Sequence, residues 1–377
     1  MIYYLGYYNC EQIAAEKRVA APPAMNKMGY VISVLSEIVE DKAMVVSPSE
    51  TSAYRFMRGS VQKIHDRIWL KTFDSLHSRN KLLRGIGHKM TKAQLLWYLL
   101  KHVTARDTLI VYHSLVLMEL VEKIKHHTGC CLIIEVEELY SDVRGDGTLR
   151  KKEIDYLQIA DQYIVITELL NQEVNLSDKP YIISHGTYHT VPRYCGKFDD
   201  GKVHVVYAGS FNPVKGGALT AIGAAEYLDE NYVLHILGKG SDEATAAVRR
   251  KIDETVKKTG CKIIFEGYKT GREFDSFIQS CHIGLSTQQP DGKYNASSFP
   301  SKILMYMSNG LPVVSVRIPA VATSGVKDYI YYYDAPIPED IAGAIKQVPV
   351  GDTCDPAGRL MELHATFSRN LRTLVEK

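Results

Sequence analysis

The stretch SSFPSKILMYMSNGLPVV, residues 297–314, predicts a short helix that runs into a buried strand. Pro300 suits the first position of a helix, where its missing N–H costs nothing. Gly310 and Pro312 suit the end of the helix, because neither residue readily continues helical backbone. The apolar residues that follow, from Val313 onward, are typical of a strand inside an α/β sheet.

The beginning of this helix is predicted to bind an anion. Unpaired backbone N–H groups and the positive end of the helix dipole lie there, and Ser298 and Ser301 add hydroxyl donors. Lys302 adds a formal positive charge. A ligand that carries phosphate is therefore expected. The alternative is an ordinary capped helix whose apolar face only packs into a core.

The composition is that of a globular protein with two domains. The chain has 377 residues, which is too many for one ordinary core. Apolar residues make up 45% and charged residues 23%, and no apolar run reaches membrane-spanning length. The first residues, MIYYLG, lack the basic leader of a secretory signal, and seven cysteines without metal spacing suit a reducing compartment. We therefore expect a cytoplasmic protein.

Positive charge is concentrated in residues Arg55–Lys92, called the basic segment below. It holds ten Lys or Arg against two Asp, although the net charge of the whole chain is only +2. Trp69 and Phe73 lie among these charges, and aromatic side chains suit a membrane interface. The basic segment is a candidate contact for an anionic membrane surface or an anionic acceptor. The alternative is a solvated face that keeps the protein soluble. No nucleic-acid partner is predicted.

Strands alternate with helices along most of the chain, which predicts parallel, doubly wound sheets. The pattern falls into two halves around Thr190–Lys202, a stretch with the Pro and Gly content of a linker. We expect a first domain over residues 1–190 and a second over 200–355. The predicted strands cover residues 1–8, 43–47, 108–112, 131–135, 162–166, 180–184, 203–208, 233–238, 262–267, 283–286 and 313–315. The predicted helices include one from Glu11 to Val39 with a break at Pro22, one from Lys92 to Val103 and a last one near 360–377.

Three loops of the second half combine the features of a phosphate site. After the first strand of this half, Gly209 permits close approach of the backbone, while Ser210 and Lys215 offer a hydroxyl and a cation. Gly238 and Gly240 follow the next strand and leave room for a flat base or a ribose. The helix near residue 300 is the third group. Each loop alone is an ordinary tight turn, but parallel strands end at one shared edge, so together they predict a nucleoside diphosphate site.

The candidate residue of the first half is His113. It follows a strand and precedes a helix, a position that faces the cleft expected between two such domains. An imidazole there could hydrogen-bond a sugar hydroxyl or transfer a proton near neutral pH, and a structural role is the alternative. Glu135, Glu137 and Glu138 leave the next strand at the same edge. Glu137 and Glu138 could bind acceptor hydroxyls or only be solvated.

The chain lacks the motifs of the common metal and cofactor sites. It contains no H-E-x-x-H, no paired C-x-x-C and no P-loop, and the turn from Gly209 to Gly217 does not match the dinucleotide fingerprint. No metal and no cofactor are therefore predicted, and the expected phosphate ligand is a substrate.

Several features of the second half resemble one family. They are the turn from Gly209 to Gly216, the turn from Gly238 to Gly240, the strand end at Gly267, and Phe299–Lys302 followed by GLPVV at 310–314. In order and spacing, over residues 203–348, they look like the nucleotide-sugar domain of GT-B glycosyltransferases of the group 1, or GT4-like, type. Phe367 and Ser368 resemble the segment with which that family crosses back onto its first domain.

The resemblance implies the GT-B architecture: two Rossmann-like domains facing across a cleft, with the last helix packed back on the first domain. It implies metal-independent, retaining transfer of a sugar from a nucleoside diphosphate sugar to a saccharide or lipid-linked saccharide. The expected setting is the synthesis of cell-surface polysaccharide or glycoconjugate at the inner face of the membrane. His113 is assigned to the donor sugar, and Lys215 and Lys302 to the leaving diphosphate, as catalytic residues. The other residues implied for the donor site are Gly209, Ser210, Gly238, Gly240, Gly267, Ser298, Phe299 and Ser301.

The chain also departs from the family pattern. The family's pyrophosphate-binding Arg falls on Ser210, which leaves Lys215 as the matching cation. Its Glu-x7-Glu pair falls on Ser297 and Met305. Met305 offers no carboxylate to ribose hydroxyls, so donor binding is expected to differ in detail. Two other functions therefore stay open: a catalytically inert relative that binds a nucleotide or a partner, and a sugar-nucleotide epimerase on the same fold.

Overall fold

The computed structural model describes residues 1–144, 147–212, 217–287, 298–349, 351 and 355–376. The chain divides into two compact units. Unit 1 contains Met1–Thr187 and Thr366–Lys377, and unit 2 contains Tyr188–Ala365. Among the described residues, no helix is both long and apolar enough to cross a lipid bilayer.

Unit 1 is built on a sheet of eight strands that is covered by helices. The strands of the whole unit are β1 Ile2–Leu5, β2 Ala43–Ser47, β3 Phe56–Met57, β4 Val61–His65, β5 Ile68–Thr72, β6 Ser75–Leu76, β7 Thr108–Tyr112, β8 Cys131–Val136, β9 Gln162–Val165 and β10 Tyr181–Ile183. Its helices are α1 Pro22–Ile38, α2 Lys81–His102, α3 Met118–Thr128, α4 Tyr140–Arg144, α5 Gly147–Leu157 and α6 Glu168–Val174, with a 3-10 helix at Glu11–Glu16.

The strand order of this sheet is β10-β9-β8-β7-β1-β2-β5-β4, and β3 pairs with β6 separately. All neighbours in the large sheet are parallel except the edge pair β4 and β5. The order runs in opposite directions on the two sides of β1, as in doubly wound folds, and ligands of such folds bind where the order reverses. All five residues of β7 are buried, as expected for a central parallel strand with both faces covered.

Unit 2 is built on a sheet of six parallel strands. These are β11 Val203–Ala208, β12 Tyr232–Leu237, β13 Lys262–Gly267, β14 Ile283–Ser286, β15 Val313–Val316 and β16 Ile330–Tyr333. Their order, β13-β12-β11-β14-β15-β16, is that of a Rossmann sheet. The remaining helices are α7 Gly217–Ala224, α8 Asp242–Thr255, α9 Gly271–Ser280, α10 Ser301–Ser308, α11 Pro319–Ala322, α12 Pro338–Gln347 and α13 Pro356–Val375, with 3-10 helices at Ala225–Tyr227 and Lys327–Tyr329.

The predicted interruption of the first helix is present, but it lies before Pro22: a 3-10 helix covers Glu11–Glu16, and α1 covers Pro22–Ile38. Helix α1 begins at Pro22 and does not continue from the residues before it, because a proline fits the first turn of a helix, where no N–H partner is needed. The end of the chain belongs to both units: α13 starts in unit 2, and its second half, from Thr366, belongs to unit 1. There the buried ring of Phe367 stacks on Tyr30 of α1, with 5.6 Å between ring centroids.

The basic segment contains more secondary structure than its sequence predicted. It forms β3 to β6 and the first half of α2, which begins at Lys81 instead of Lys92. Strand β4 lies at the sheet edge and alternates exposed and half-buried residues. It therefore lacks the apolar run by which the buried strands were predicted. Asn80 caps α2 by accepting hydrogen bonds from the N–H groups of Leu82 and Leu83.

Candidate functional site

The loops after β11, β12 and β13 meet at the carboxyl edge of the unit 2 sheet. Gly209 N donates a hydrogen bond to Leu237 O at 3.1 Å, and Gly238 N donates to Gly267 O at 2.8 Å. Two residues further along the loops after β11 and β12, the N–H of Phe211 donates to the carbonyl of Lys239 at 2.9 Å. The structure therefore brings together the four predicted glycines, Gly209, Gly238, Gly240 and Gly267.

Two of these glycines are required by the close approach of the backbones. Gly238 has a φ of +149°, and a Cβ there would lie 1.8 Å from Gly209 O. At Gly240 a Cβ would lie 2.8 Å from Phe211 O. A side chain at either position would push the two loops apart. This edge of the sheet therefore presents mostly backbone, which suits contact with a flat or charged ligand group.

Lys302 reaches this edge from α10. Its Nζ donates a hydrogen bond to the Tyr207 hydroxyl at 2.9 Å and lies 4.0 Å from the centre of the Tyr207 ring. A Cβ on Gly209 would come within 2.5 Å of the same Nζ, so the ammonium lies directly against the loop after β11. Burial raises the pKa of Tyr207, which keeps its hydroxyl neutral. An ammonium beside exposed backbone is an arrangement that can bind phosphate.

Tyr306, which the sequence analysis did not single out, fixes the position of α10. Its buried hydroxyl accepts a hydrogen bond from Ala208 N at 2.7 Å and donates to Leu285 O at 3.3 Å. The ring packs on Gly284 of β14, where a Cβ would lie 2.3 Å from it. The glycine within a predicted strand was the available signal, because such a glycine often marks close approach by another group.

The residues predicted to bind the donor at the beginning of α10 differ in their exposure to solvent. Pro300 precedes the first helical residue, and no side chain in the described part of the chain caps it. Ser301 is exposed, Ser298 is half-buried and Phe299 is buried. Ser210 is exposed near the beginning of the loop after β11. Lys215 and Ser297 lie outside the described residues.

His113 lies inside unit 1, with only 2% of its surface exposed. Its Nε2 is 2.7 Å from the Glu153 carboxylate, and the rings of Tyr140 and Tyr156 flank it. Burial alone would raise the pKa of Glu153, but hydrogen bonds from His113 and Ser141 hold it below its ordinary value. The imidazole is thus held by a charged partner in the core, and the sugar contact assigned to it stays a prediction.

A cluster of buried and half-buried polar side chains lies at the carboxyl edge of the unit 1 sheet. Its members are Tyr4, Lys27, Tyr112, Glu135 and Glu137. Lys27 Nζ donates to the carbonyl of Ser184 at 2.7 Å and to its hydroxyl at 2.8 Å, and lies 3.9 Å from the Glu137 carboxylate. The Tyr4 hydroxyl donates to Glu135 Oε2 at 2.6 Å, and the Tyr112 hydroxyl donates to Glu137 Oε2 at 2.7 Å.

Glu135 and Glu137 differ sharply in their environments. Glu135 is 1% exposed, and its Oε1 has no hydrogen-bond partner among the described residues. Burial raises the pKa of Glu135 to about 7, against the attraction of Lys27 and with a further increase from Glu137. The side chain of Glu137 keeps 23% of its surface exposed. Glu137 is thus the carboxylate of the pair that a ligand can reach, and Glu135 can exchange a proton near neutral pH.

No group of three or more His, Cys, Asp or Glu among the described residues is arranged to hold a metal ion. The polar residues at the carboxyl edges of the two sheets instead form ion pairs and hydrogen bonds among themselves.

Replacing Gly238 by alanine is expected to destabilise unit 2 by more than about 2 kcal/mol, because the new Cβ meets the carbonyl oxygen of Gly209 at a positive φ. Gly343→Ala is the matched control: Gly343 lies in α12, nothing lies within 4 Å of its Cβ position, and alanine there should stabilise by about 0.5–1 kcal/mol. Urea unfolding of both variants measures the difference. Equal stabilities would show that the loops after β11 and β12 can separate at little cost.

Glu135→Gln should change how stability depends on pH. The folded pKa of Glu135 is about 7 and its ordinary value is 4.5, so the folded protein holds the extra proton between these values. Stability therefore falls as pH rises through this window, by on the order of 3 kcal/mol, and the glutamine variant should lack this fall. Unfolding free energies at pH 5 and pH 8 measure it, with exposed Glu254→Gln as the control. Parallel pH profiles for wild type and Glu135→Gln would contradict the expectation.

Comparison with known proteins agrees with this geometry. Residues 202–348 match the family model described as glycosyl transferases group 1. An apo structure of OtsA superposes with a TM-score of 0.63 at 11% identity, over 100% of this chain and 97% of the other. A structure from E. coli described as trehalose-6-phosphate bound with UDP-2-fluoro glucose gives 0.63 at 12% identity, over 100% and 97%. A UDP-forming trehalose-phosphate synthase from Burkholderia xenovorans gives 0.61 at 11% identity, over 100% and 99%.

No curated protein matches the sequence significantly. At 11–12% identity the superpositions establish the fold, and the family model identifies the part of unit 2 that carries the glycine loops and Lys302. The predicted fold class and the predicted family resemblance are both confirmed. The chain has the GT-B fold, and its residues 202–348 are similar to the glycosyl transferases group 1 family.

Proposed function

We propose that the protein transfers a sugar from a nucleoside diphosphate sugar, bound by unit 2, to a hydroxyl of a saccharide acceptor, bound by unit 1. The observation that carries the proposal is the meeting of Lys302 with the backbone of Gly209 at the carboxyl edge of a Rossmann sheet. The match of residues 202–348 to group 1 glycosyl transferases supports it. So does the neighbour from E. coli, which was bound with UDP-2-fluoro glucose.

In this proposal Lys302 stabilises the leaving group. When the bond between the sugar and the diphosphate breaks, negative charge develops on the phosphate oxygens. We propose that the ammonium of Lys302 and the N–H groups at the beginning of α10 compensate that charge; the contact of Lys302 with Tyr207 supports this. Lys215 is assigned the same task by the sequence resemblance. These groups supply the charge compensation for which many transferases use a metal ion, so we propose that transfer is metal-independent.

We further propose that transfer occurs with retention of configuration at the sugar. One structural neighbour, a trehalose-6-phosphate synthase, is described as a glycosyltransferase that acts with retention. The protein should therefore turn over a nucleoside diphosphate sugar in the presence of an acceptor saccharide. The anomeric configuration of the product, read by NMR, tests retention. Nucleotide binding without any turnover would favour the inert alternative, and an isomerised donor without acceptor would favour the epimerase.

Replacing Lys302 by alanine should weaken UDP binding about 10- to 100-fold, because a charged hydrogen bond is worth about 1.5–3 kcal/mol. Uridine binding should not change, since it has no phosphate. The value of kcat/KM for transfer should also fall, because the transition state loses about 2–4 kcal/mol of stabilisation. Calorimetry with UDP and uridine measures the first two, and Lys257→Ala, an exposed lysine elsewhere in unit 2, is the control. Equal losses for UDP and uridine would assign Lys302 to the stability of the fold.

We also propose that the basic segment holds the protein reversibly at an anionic membrane surface, where a lipid-linked acceptor would be displayed. Helix α2 supports this. Leu82, Ile86 and Trp97 lie at helical spacing on one face, with 79%, 58% and 62% of their surfaces exposed. The exposed Lys89 lies on the same face, seven residues after Leu82, and Lys101 Nζ lies 4.7 Å from the centre of the Trp97 ring. Exposed apolar groups among basic ones are typical of helices that bind the interface of anionic membranes.

The double variant Leu82→Ser with Ile86→Ser should bind anionic vesicles severalfold more weakly than the wild type, because its apolar contact with the lipid is lost. Binding should also fall as salt rises, since each basic residue near the surface contributes about 1 kcal/mol that salt screens. Co-sedimentation with vesicles that contain increasing phosphatidylserine measures both effects, and Val256→Ser, an exposed apolar residue of unit 2, is the control. If vesicle binding does not change with lipid charge, with salt or in the double variant, the basic segment is only a solvated face.

A further inference from the structure

A chain of four titratable side chains runs across three neighbouring strands of the unit 2 sheet. It begins at Asp200, before β11, and passes through His204 of β11 and His235 of β12 to Glu266 of β13. The Nε2 of His204 lies 3.0 Å from Asp200 Oδ1. The Nδ1 of His204 lies 2.8 Å from the Nε2 of His235, whose Nδ1 lies 2.9 Å from Glu266 Oε1. All three distances are those of hydrogen bonds.

The two imidazoles in the middle of this chain are buried, and the carboxylates at its ends are more exposed. His204 and His235 keep 4% and 2% of their surfaces exposed. The side chains of Glu266 and Asp200 keep 17% and 54%. The ring of Phe198 stacks on both imidazoles, with centroids 4.2 Å from that of His204 and 5.6 Å from that of His235. Solvent therefore reaches the chain most easily at Asp200.

The three contacts need one proton more than two neutral imidazoles carry. Each hydrogen bond uses one proton, and an ionised carboxylate supplies none while a neutral imidazole supplies one. Two neutral imidazoles therefore complete two of the three contacts. An ordinary imidazole holds its proton to a pH about two units higher than a carboxyl group does, so the extra proton belongs to one of the histidines.

The surroundings favour His204 as the histidine that carries the extra proton. Burial lowers the pKa of His235, although Glu266 acts in the opposite direction. The hydrogen bond with His204 lowers the pKa of Asp200, as expected of a carboxylate that accepts from an imidazolium. Burial also lowers the pKa of the neighbouring His282, whose Nδ1 accepts a hydrogen bond from the backbone N of His204 at 2.9 Å.

The other ionisable groups around the chain keep one charge between pH 5 and pH 8. Burial raises the pKa of the Cys281 thiol, which stays neutral. A lysine keeps its positive charge throughout this range, and an exposed glutamate is almost fully ionised. These charged groups are Lys197, which donates to the carbonyl of Cys281, Lys262 at the beginning of β13, and the pair of Lys269 with Glu273 beside the ring of Phe277.

The residues that end in Asp200, 192–200, are called the connecting segment below, because they follow the passage of the chain from unit 1 into unit 2. They rest on the end of helix α9. Tyr194 N donates to Gln279 Oε1 at 2.8 Å, and Phe198 N donates to Ser280 O at 2.8 Å. The contact of Asp200 with His204 adds a charged hydrogen bond to these neutral ones.

We propose that Asp200, His204, His235 and Glu266 form a proton-dependent clasp that holds the connecting segment on unit 2. With the proton bound, His204 is an imidazolium that donates both to Asp200 and to His235. Without it, His204 donates only to His235, and its Nε2 presents a lone pair to Asp200, so this exposed end opens into solvent. His235 donates to Glu266 in both states. The segment is thus held more firmly at low pH, whether or not the protein transfers sugar.

NMR of the full-length protein labelled with ¹⁵N-histidine tests the pattern of protonation, because two-bond ¹H–¹⁵N correlations distinguish the imidazole tautomers. We expect His235 as the Nδ1–H tautomer at both pH 6 and pH 9. His204 should change from the doubly protonated form to the Nδ1–H tautomer as the pH rises through the range in which imidazoles titrate. The spectra of His204→Gln and His235→Gln assign the signals. An Nε2–H tautomer of His235, or a His204 that keeps one form from pH 6 to pH 9, would overturn the proposal.

Hydrogen exchange measures how firmly the connecting segment is held. Protection factors of residues 194–200, corrected for the intrinsic effect of pH on exchange, should be about two- to fivefold higher at pH 6 than at pH 8, as one partly exposed ion pair provides. Asp200→Asn should remove this difference, since an amide can accept from a protonated imidazole and donate to a neutral one. Asp199→Asn, at the exposed neighbouring residue, should keep it. Equal protection of the wild type at both pH values, or an undiminished difference in Asp200→Asn, would contradict the clasp.

Discussion

The hydroxyl of Tyr306 is the contact on which the functional edge of unit 2 depends. It bonds both to Ala208 N and to Leu285 O, and so ties α10 to the ends of two strands. Residues four apart share a face of a helix, so the face that carries Tyr306 also carries Lys302. The buried bond that orients the helix therefore also places the ammonium against the Gly209 loop. Leaving the Ala208 N–H without its partner would cost about 1–3 kcal/mol in addition to the lost contact.

Unit 1 is organised by a different constraint, the burial of charge. Lys27 and Glu135 are 4% and 1% exposed, and an isolated buried charge is strongly unfavourable. The protein satisfies Lys27 with the carbonyl and hydroxyl of Ser184, which joins α1 to the segment after β10. It leaves Glu135 incompletely satisfied, with one oxygen unpaired and a pKa raised to about 7. Apolar residues of similar volume would stabilise such a core at least as well, so we attribute the retention of these charges to binding or proton exchange at this edge.

The sequence allowed the sheets to be predicted because parallel strands buried on both faces appear as short apolar runs, such as TLIVY at Thr108–Tyr112. The donor-side glycines and Lys302 could be predicted for a related reason: loops at strand ends must meet at one edge. The burial of His113 could not be predicted, because its partner Glu153 lies forty residues away on helix α5. The same holds for the hydrogen bond between His204 and His235, buried side chains on neighbouring strands that no local pattern connects. Contacts between residues distant in sequence need the register of the sheet, which periodicity alone does not supply.

Under the proposed function, the two units recognise their ligands by different chemistry. In the described part of unit 2, this edge presents glycine backbone and the ammonium of Lys302, which suit the charge and shape common to all nucleoside diphosphates. Helix α10 contains no acidic residue, so none of its side chains can receive the ribose hydroxyls as a carboxylate would. We therefore expect the diphosphate to contribute most of the donor affinity. Discrimination between substrates requires side chains that leave a polar group unpaired when the wrong ligand binds. In unit 1, Glu135 has a carboxylate oxygen without a partner among the described residues, and the Glu137 carboxylate is partly exposed, so selectivity is expected to be stricter for the acceptor than for the nucleotide.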